Sequence, residues 1–354
     1  MRTARWLSTV GVLLSVVGSS GLSIASAAEP YKVVKTAAVG GAGGFDYVFA
    51  DSDGRKLYVP RGNRVDAYDL DTLKSVGTIS PTRGVHGAAV DPLTKHGFCS
   101  SNPVVMWDTE KLTTLKTIPV EGRPDAILFD PATQHVLILS HSAPNATVID
   151  AKDGSIVGTI DLGGAPEQGA SDGNGHLYIA LEDKSKVAVV DSRTNKMTGQ
   201  YDLESKGGTP AGLALDKKNH ILFVCCRNPA TAVIMNADDG KIITTLPIGK
   251  RVDAAAFNPS TMEAFASTGD GKLTIIKETD PKTFEVEQTV DTMAGAKTCT
   301  LDTDTNQVFL IASARTAPAG ADPNNPSQSP PGGRAGRGGG TFTIIVVGKE
   351  SASR

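Results

Sequence analysis

The chain has 354 residues, room for one large all-β domain or two ordinary ones. A hydrophobic content of 40% supports a packed core and excludes wholesale disorder, while aromatics at 5% are too sparse for a surface of stacking platforms. The formal net charge of −3 makes the surface mildly acidic, which opposes non-specific nucleic-acid binding because that rests on neutralising phosphates.

Residues 1–28 read as a secretory signal peptide. Arg2 and Arg5 form a positive start, residues 7–17 a short apolar stretch, and Ala25, Ser26, Ala27 and Ala28 supply small side chains for cleavage after Ala27 or Ala28. Removal leaves 33 basic against 38 acidic side chains, a net charge of −5. The stretch is too short to span a bilayer, and no second run approaches the roughly 20 residues that a spanning helix needs. No cysteine stands at the cleavage site to take a lipid. A free periplasmic or secreted protein, with no transmembrane segment, is expected.

Beyond this leader an apolar strand ending in an Asp or Asn turn recurs seven times, at Asp51, Asp91, Asp130, Asp172, Asp216, Asn258 and Asp302. The intervals are 40, 39, 42, 44, 42 and 44 residues. That period matches a four-stranded propeller blade, roughly 40–50 residues, and is too long for leucine-rich or ankyrin units. The third unit shows the layout, with strands at 124–129, 136–140, 147–150 and 156–162 separated by turns rich in Asp, Gly and Pro. The predicted fold is therefore all-β: a seven-bladed β-propeller of four-stranded antiparallel blades, occupying residues 29–350 as one domain. Residues 351–354 form a tail.

The seventh unit stops one strand short. Its third strand, 341–347, is followed by only seven residues, whereas Lys32-Val33-Val34-Lys35-Thr36 matches the fourth strands Ser155-Ile156-Val157-Gly158-Thr159 and Lys241-Ile242-Ile243-Thr244-Thr245. Residues 31–39 are predicted to complete the last blade as its outer strand, tying the two ends together and covering an open edge. Residues 316–340, rich in Pro, Gly, Ser and Asn, interrupt the same blade; their composition predicts a disordered insertion.

The pieces Pro210-Ala211-Gly212, Leu57-Tyr58-Val59, Leu177-Tyr178-Ile179, Val187-Ala188-Val189-Val190-Asp191 and Val148-Ile149-Asp150 resemble the YVTN repeat of YncE-like propellers, over about residues 31–350. The tetrapeptide Tyr-Val-Thr-Asn itself is absent. The resemblance implies an exported propeller and binding more readily than catalysis.

Five residues before each anchor stand Asp46, His86, Asp125, Glu167, Ala211, Asp253 and Lys297, six of them ionisable. In a propeller the loops into the innermost strands share one face, so these positions are predicted to ring the channel mouth. The loops between second and third strands add Arg61, Asn63, Asn102, His141, Glu182, Arg227 and Arg315 to that face. Such a ring would bind a small polar ligand, or a divalent cation: carboxylates suit Ca²⁺ and His86 would admit a transition metal. No cofactor is required by any motif. The same residues are equally those that solvated loops favour.

Other patterns lack their context. Gly169-Ala170-Ser171-Asp172-Gly173 has the letters of a nucleophile elbow, but Ser171 ends a strand that meets a repeat turn, where an elbow needs a helix. Gly40-Gly41-Ala42-Gly43-Gly44 precedes a strand and offers no helix N-terminus to a phosphate. Cys99, Cys225, Cys226 and Cys299 fall in blades that are not neighbours and are expected as buried free thiols. The expectation is a monomeric, non-enzymatic exported propeller that recognises a protein, peptide, glycan or small polar ligand. The alternative is a metal-dependent hydrolase or lactonase working on the axis.

Overall fold

Each repeat anchor closes the same tight turn. In six of the seven units its side chain accepts the backbone N–H two residues on, from Asp91 to Leu93 at 3.0 Å through Asp302 to Asp304 at 3.3 Å; Asp51 reaches Gly54 instead, at 2.9 Å. Four residues after six of the anchors the chain turns left-handed, at Arg55, Lys95, Gln134, His220, Met262 and Asn306, with φ between 51° and 60°. The fourth unit has Gly173 and Gly175 in its turn for that purpose. The bond from the carboxylate holds the turn while the strained residue reverses the strand.

These turns set the register of a ring of seven sheets. The computed structural model describes residues 29–41, 44–314 and 341–350, and among them it has 28 strands and no helix. The strands pair as seven four-stranded antiparallel sheets, blades one to seven in chain order. The first strand of each blade touches the first strand of the next, and that of blade seven touches that of blade one. The strands of the third unit, Pro124–Asp130, His135–Ser140, Ala146–Asp150 and Ile156–Ile160, lie within two residues of their predicted bounds. The predicted signal peptide, insertion and tail lie outside the described residues.

The core lies between blades. Seven apolar clusters fill the seams, one for each neighbouring pair. In blade three Val136 and Ile138 face blade two while Leu137 and Leu139 face blade four. A middle strand buried on both sides needs no polar alternate, so it reads as a continuous apolar run. Gly212 shows how close the inner strands come: a Cβ there would stand 2.8 Å from the carbonyl carbon of Ala254. The four cysteines are buried and unbridged, and burial pushes the Cys299 thiol up to about 11.

The N-terminal strand Lys32–Ala38 pairs antiparallel with Thr341–Gly348 and completes blade seven, as the repeat register predicts. Tyr31 pins its start. The Tyr31 backbone exchanges two hydrogen bonds with the Gln288 amide, at 2.8 and 2.6 Å, and its hydroxyl donates to Glu263 at 2.5 Å. Lys349 holds the other oxygen of Glu263 at 3.0 Å and lies over the Tyr31 ring.

All seven outer strands carry one extra residue at the same place. The unpaired positions are Val76, Leu115, Val157, Thr198, Ile243 and Glu287 in blades one to six, and Val34 in blade seven. The bulge spanning the junction of the two chain ends therefore copies the other six. It also explains why Val34, Val76, Leu115 and Val157 are exposed, since a bulge turns an apolar side chain off the alternating pleat.

Candidate functional site

Hydroxyl groups fix the loops that lead into the inner strands. Ser100 Oγ donates to the Asp125 carbonyl, Ser267 Oγ to that of Lys297 at 2.8 Å, and Thr298 Oγ1 to that of Asp46 at 2.8 Å. Each bond crosses from one blade to the next, so the side chains are carried on a braced backbone.

Those side chains form a closed circuit of alternating acid and base. Asp46 Oδ2 lies 2.9 Å from His86 Nδ1, which lies 3.1 Å from Asp125 Oδ1. Asp125 Oδ2 lies 3.2 Å from His141 Nε2, itself 3.7 Å from Glu167 Oε1. Arg227 Nη2 stands 3.7 Å from the same Glu167 oxygen and bonds Asp253. Lys297 Nζ bonds the other oxygen of Asp253 and reaches Asp46 Oδ1 at 3.1 Å, closing the loop. All seven blades contribute. The fifth has Ala211 at the equivalent position, and Arg227, from its loop between second and third strands, fills the gap. Arg227 Nε donates to the Val252 carbonyl at 3.0 Å and Nη1 to Glu182 at 3.1 Å.

Not every predicted residue joins. Arg61 is buried between blades one and seven, where Nη2 donates to the Gly40 carbonyl at 2.9 Å and the guanidinium carbon lies 3.6 Å above the Phe342 ring. Asn102 donates to the Val120 carbonyl at 2.9 Å, and Asn63 neighbours Arg64 at 3.5 Å; neither reaches the circuit. Arg315 lies outside the described residues. Ser171, from the elbow-like sequence, is at the opposite end of its strand, buried and donating to Asp130 at 2.6 Å.

Two residues were missed. Tyr47 reaches from blade one to Glu167 of blade four, donating at 2.5 Å, and packs against the seams of blades three and four and of blades six and seven. It therefore crosses the axis and floors the mouth. Beneath it lies a cavity of about 510 Å³, lined by inner-strand residues such as Val90, Leu128 and Cys299 and reaching Pro92, Pro131 and Lys217 beside the anchors. Gln168 ties three blades, its Oε1 accepting from Leu213 and Ala255 at 2.9 and 2.8 Å and its Nε2 donating to the Ala255 carbonyl at 3.0 Å. The signal was present four residues before the anchors: Gly87, Ala126, Gly212, Ala254 and Thr298 are small, and Tyr47 and Gln168 alone are large.

The circuit sets its own protonation. Burial alone would lower Lys297, but Asp46 and Asp253 hold it above the ordinary lysine range. Burial would likewise raise Asp125, yet His141 and the nearby His86 keep it below the usual carboxylate value. The hydrogen bond to Asp46 raises His86. Glu167 goes the other way: burial, then a hydrogen bond shared with Glu182, then repulsion from Asp125 and Asp253 push it well up. A raised folded pKa means the folded state keeps a proton that the unfolded state has released. Stability attached to Glu167 therefore falls as pH rises above the ordinary carboxylate value, about 4.3. Glu167→Gln keeps the neutral form at all pH values. Its unfolding free energy relative to wild type is expected to climb from pH 5 to pH 8, by about 1.4 kcal/mol per pH unit at the steepest; a pH-independent difference in denaturant unfolding would overturn this.

No family model matches the chain, and neither does any curated protein sequence. Solved structures do match by fold. One is a chain of a crystal structure of the mitotic checkpoint complex, with a TM-score of 0.69 and 12% sequence identity, covering 88% of this chain and 95% of its own length. The likeness is one of fold, the seven-bladed propeller.

Proposed function

We propose that the protein is an exported, non-catalytic binding propeller whose charged channel mouth recognises a small polar ligand bearing both a cationic and an anionic group. The observation that carries this reading is the closed acid–base circuit floored by Tyr47. His86 and Lys297 keep 39% and 37% of their side-chain surface open, so a ligand can reach them, while Glu167 and Asp253 keep 6% and serve as the fixed base of the bowl. A ligand carboxylate would take the fork of Arg227 or the ammonium of Lys297, and a ligand amine would take Asp46 or Asp125. The leader-like residues 1–28 support export to the periplasm or beyond, and the resemblance to YVTN-repeat propellers supports binding. Against a serine hydrolase of the elbow type stands the position of Ser171, held by Asp130 at the far end of its strand.

The test is a thermal-shift and calorimetric titration of metal-free protein with glycine, γ-aminobutyrate and succinate. At 100 times its dissociation constant a ligand adds about 2.7 kcal/mol, so a saturable rise in melting temperature is expected from at least one probe and is lost in Arg227→Ala. No shift from any probe would sink the small-ligand reading. Hydrolysis of an ester or lactone that disappears in a folded Asp125→Ala variant would replace it with the catalytic one.

A further inference from the structure

One arc of the circuit has the spacing of a metal site. Asp46 Oδ2, His86 Nδ1 and Asp125 Oδ1 lie within 4.8 Å of one another, and the imidazole nitrogen stands 2.9 and 3.1 Å from the two oxygens. Donors bound to one ion at 2.0–2.2 Å sit about 3.0–3.5 Å apart at octahedral or tetrahedral angles. A single N–H cannot point along both lines at once, whereas an ion between the three atoms would satisfy both carboxylates and the ring together. Each carboxylate also has a basic group at its other oxygen: Lys297 donates to Asp46 Oδ1 at 3.1 Å, and His141 Nε2 stands 3.2 Å from Asp125 Oδ2 as an ion pair. Such outer donors orient the ligands of protein metal sites and tune their affinity.

The neighbouring group of Asp125, His141 and Glu167 lacks this property, although its donors are as close. Arg123 Nη2 lies 3.0 Å from His141 Nδ1, and a guanidinium only donates. His141 then carries its proton on Nε2, which stands 3.2 Å from Asp125 Oδ2 without the alignment of a hydrogen bond, and has no lone pair there for an ion.

We propose that Asp46, His86 and Asp125 bind one first-row divalent transition ion, with Lys297 and His141 as positioning residues. The inference rests on reading the circuit as a ligand site and names one of its ligands. An imidazole with two carboxylates suits Zn²⁺ or Mn²⁺, and the nitrogen donor disfavours Ca²⁺ and Mg²⁺. Two carboxylates cancel the charge of the ion.

The experiment is calorimetric titration of chelator-treated protein with ZnCl₂, MnCl₂ and CaCl₂, with elemental analysis after desalting. One Zn²⁺ or Mn²⁺ per chain is expected, together with a raised melting temperature. His86→Ala and Asp125→Asn should weaken binding about 100-fold or more, Lys297→Met about 10-fold by loss of an outer partner, and circular dichroism reports whether each variant is folded. His86→Asn is a second variant should alanine unsettle the loop. No bound ion, Ca²⁺ as tight as Zn²⁺, or unchanged affinity in a folded His86 variant would overturn the proposal. Succinate and glycine titrated into the same metal-free sample separate the two readings: if they bind and the ion does not, only the metal site falls, and if nothing binds, the binding function falls with it.

Discussion

Deleting residues 29–40 is expected to lower the melting temperature by about 10 °C or more. The side chains of Lys32–Ala38 are almost all exposed, so the strand is not held by its own apolar face. What holds it is the backbone ladder to Thr341–Gly348 and the anchor at Tyr31, which is 3% exposed, meets Phe265 edge-on at 5.5 Å and donates to the buried Glu263. Without the strand, blade seven ends on an unpaired edge and Glu263 loses a donor in a place where water is excluded. Tyr31→Ala isolates the anchor. Truncating a buried aromatic costs about 3–5 kcal/mol, and denaturant unfolding should show a loss in that range. Melting curves that coincide with wild type after the deletion would mean the ring closes in some other way.

Lys297→Met is expected to cost about 1–2 kcal/mol at pH 7, less than the roughly 3–5 kcal/mol of a fully buried pair because Lys297 keeps 37% of its side chain open to water. Among the described residues Lys297 is the one cation that joins Asp253 to Asp46, and Asp253 has 6% of its side chain exposed. Arg227 still holds Asp253 in the variant and limits the damage. The charge left behind is the cause of the loss, so Lys297→Met combined with Asp253→Asn should recover most of it, and the double-mutant cycle measures the coupling. The penalty should also shrink toward pH 4, as Asp253, whose carboxyl burial already holds above the ordinary value, takes up a proton. A loss below about 0.5 kcal/mol would class the circuit with solvated surface pairs.

The fold was legible because it is a repetition. A short side-chain oxygen that holds the turn has to recur once per blade, and the seven Asp or Asn anchors do so within five residues of a constant period. The end-to-end closure was legible for the same reason: the alignment of Val34 with Val157 and Ile243 rests on side-chain pattern, and these three prove to be equivalent bulge residues. The circuit was partly legible, since a fixed offset from the anchor carries Asp46, His86, Asp125, Glu167, Asp253 and Lys297 to one place. Arg61 and Arg227 show where that stops. Both leave second strands in equivalent loops, yet one turns down onto Phe342 of the neighbouring blade and the other reaches across to Asp253. A long side chain on a loop goes where its neighbour offers a ring or a carboxylate, and the neighbour is known only once the blades are assembled.

The extra residue in every outer strand bears on how the protein meets copies of itself. A blade margin left straight would display evenly spaced donors and acceptors, a template on which a foreign strand could zip. One surplus residue per margin throws that spacing out of step halfway along and increases the local twist, so an approaching chain can match one half or the other. The rim is thus interrupted seven times, and the two ends of the polypeptide, joined in the last blade, preserve the interruption where a lapse would have been easiest.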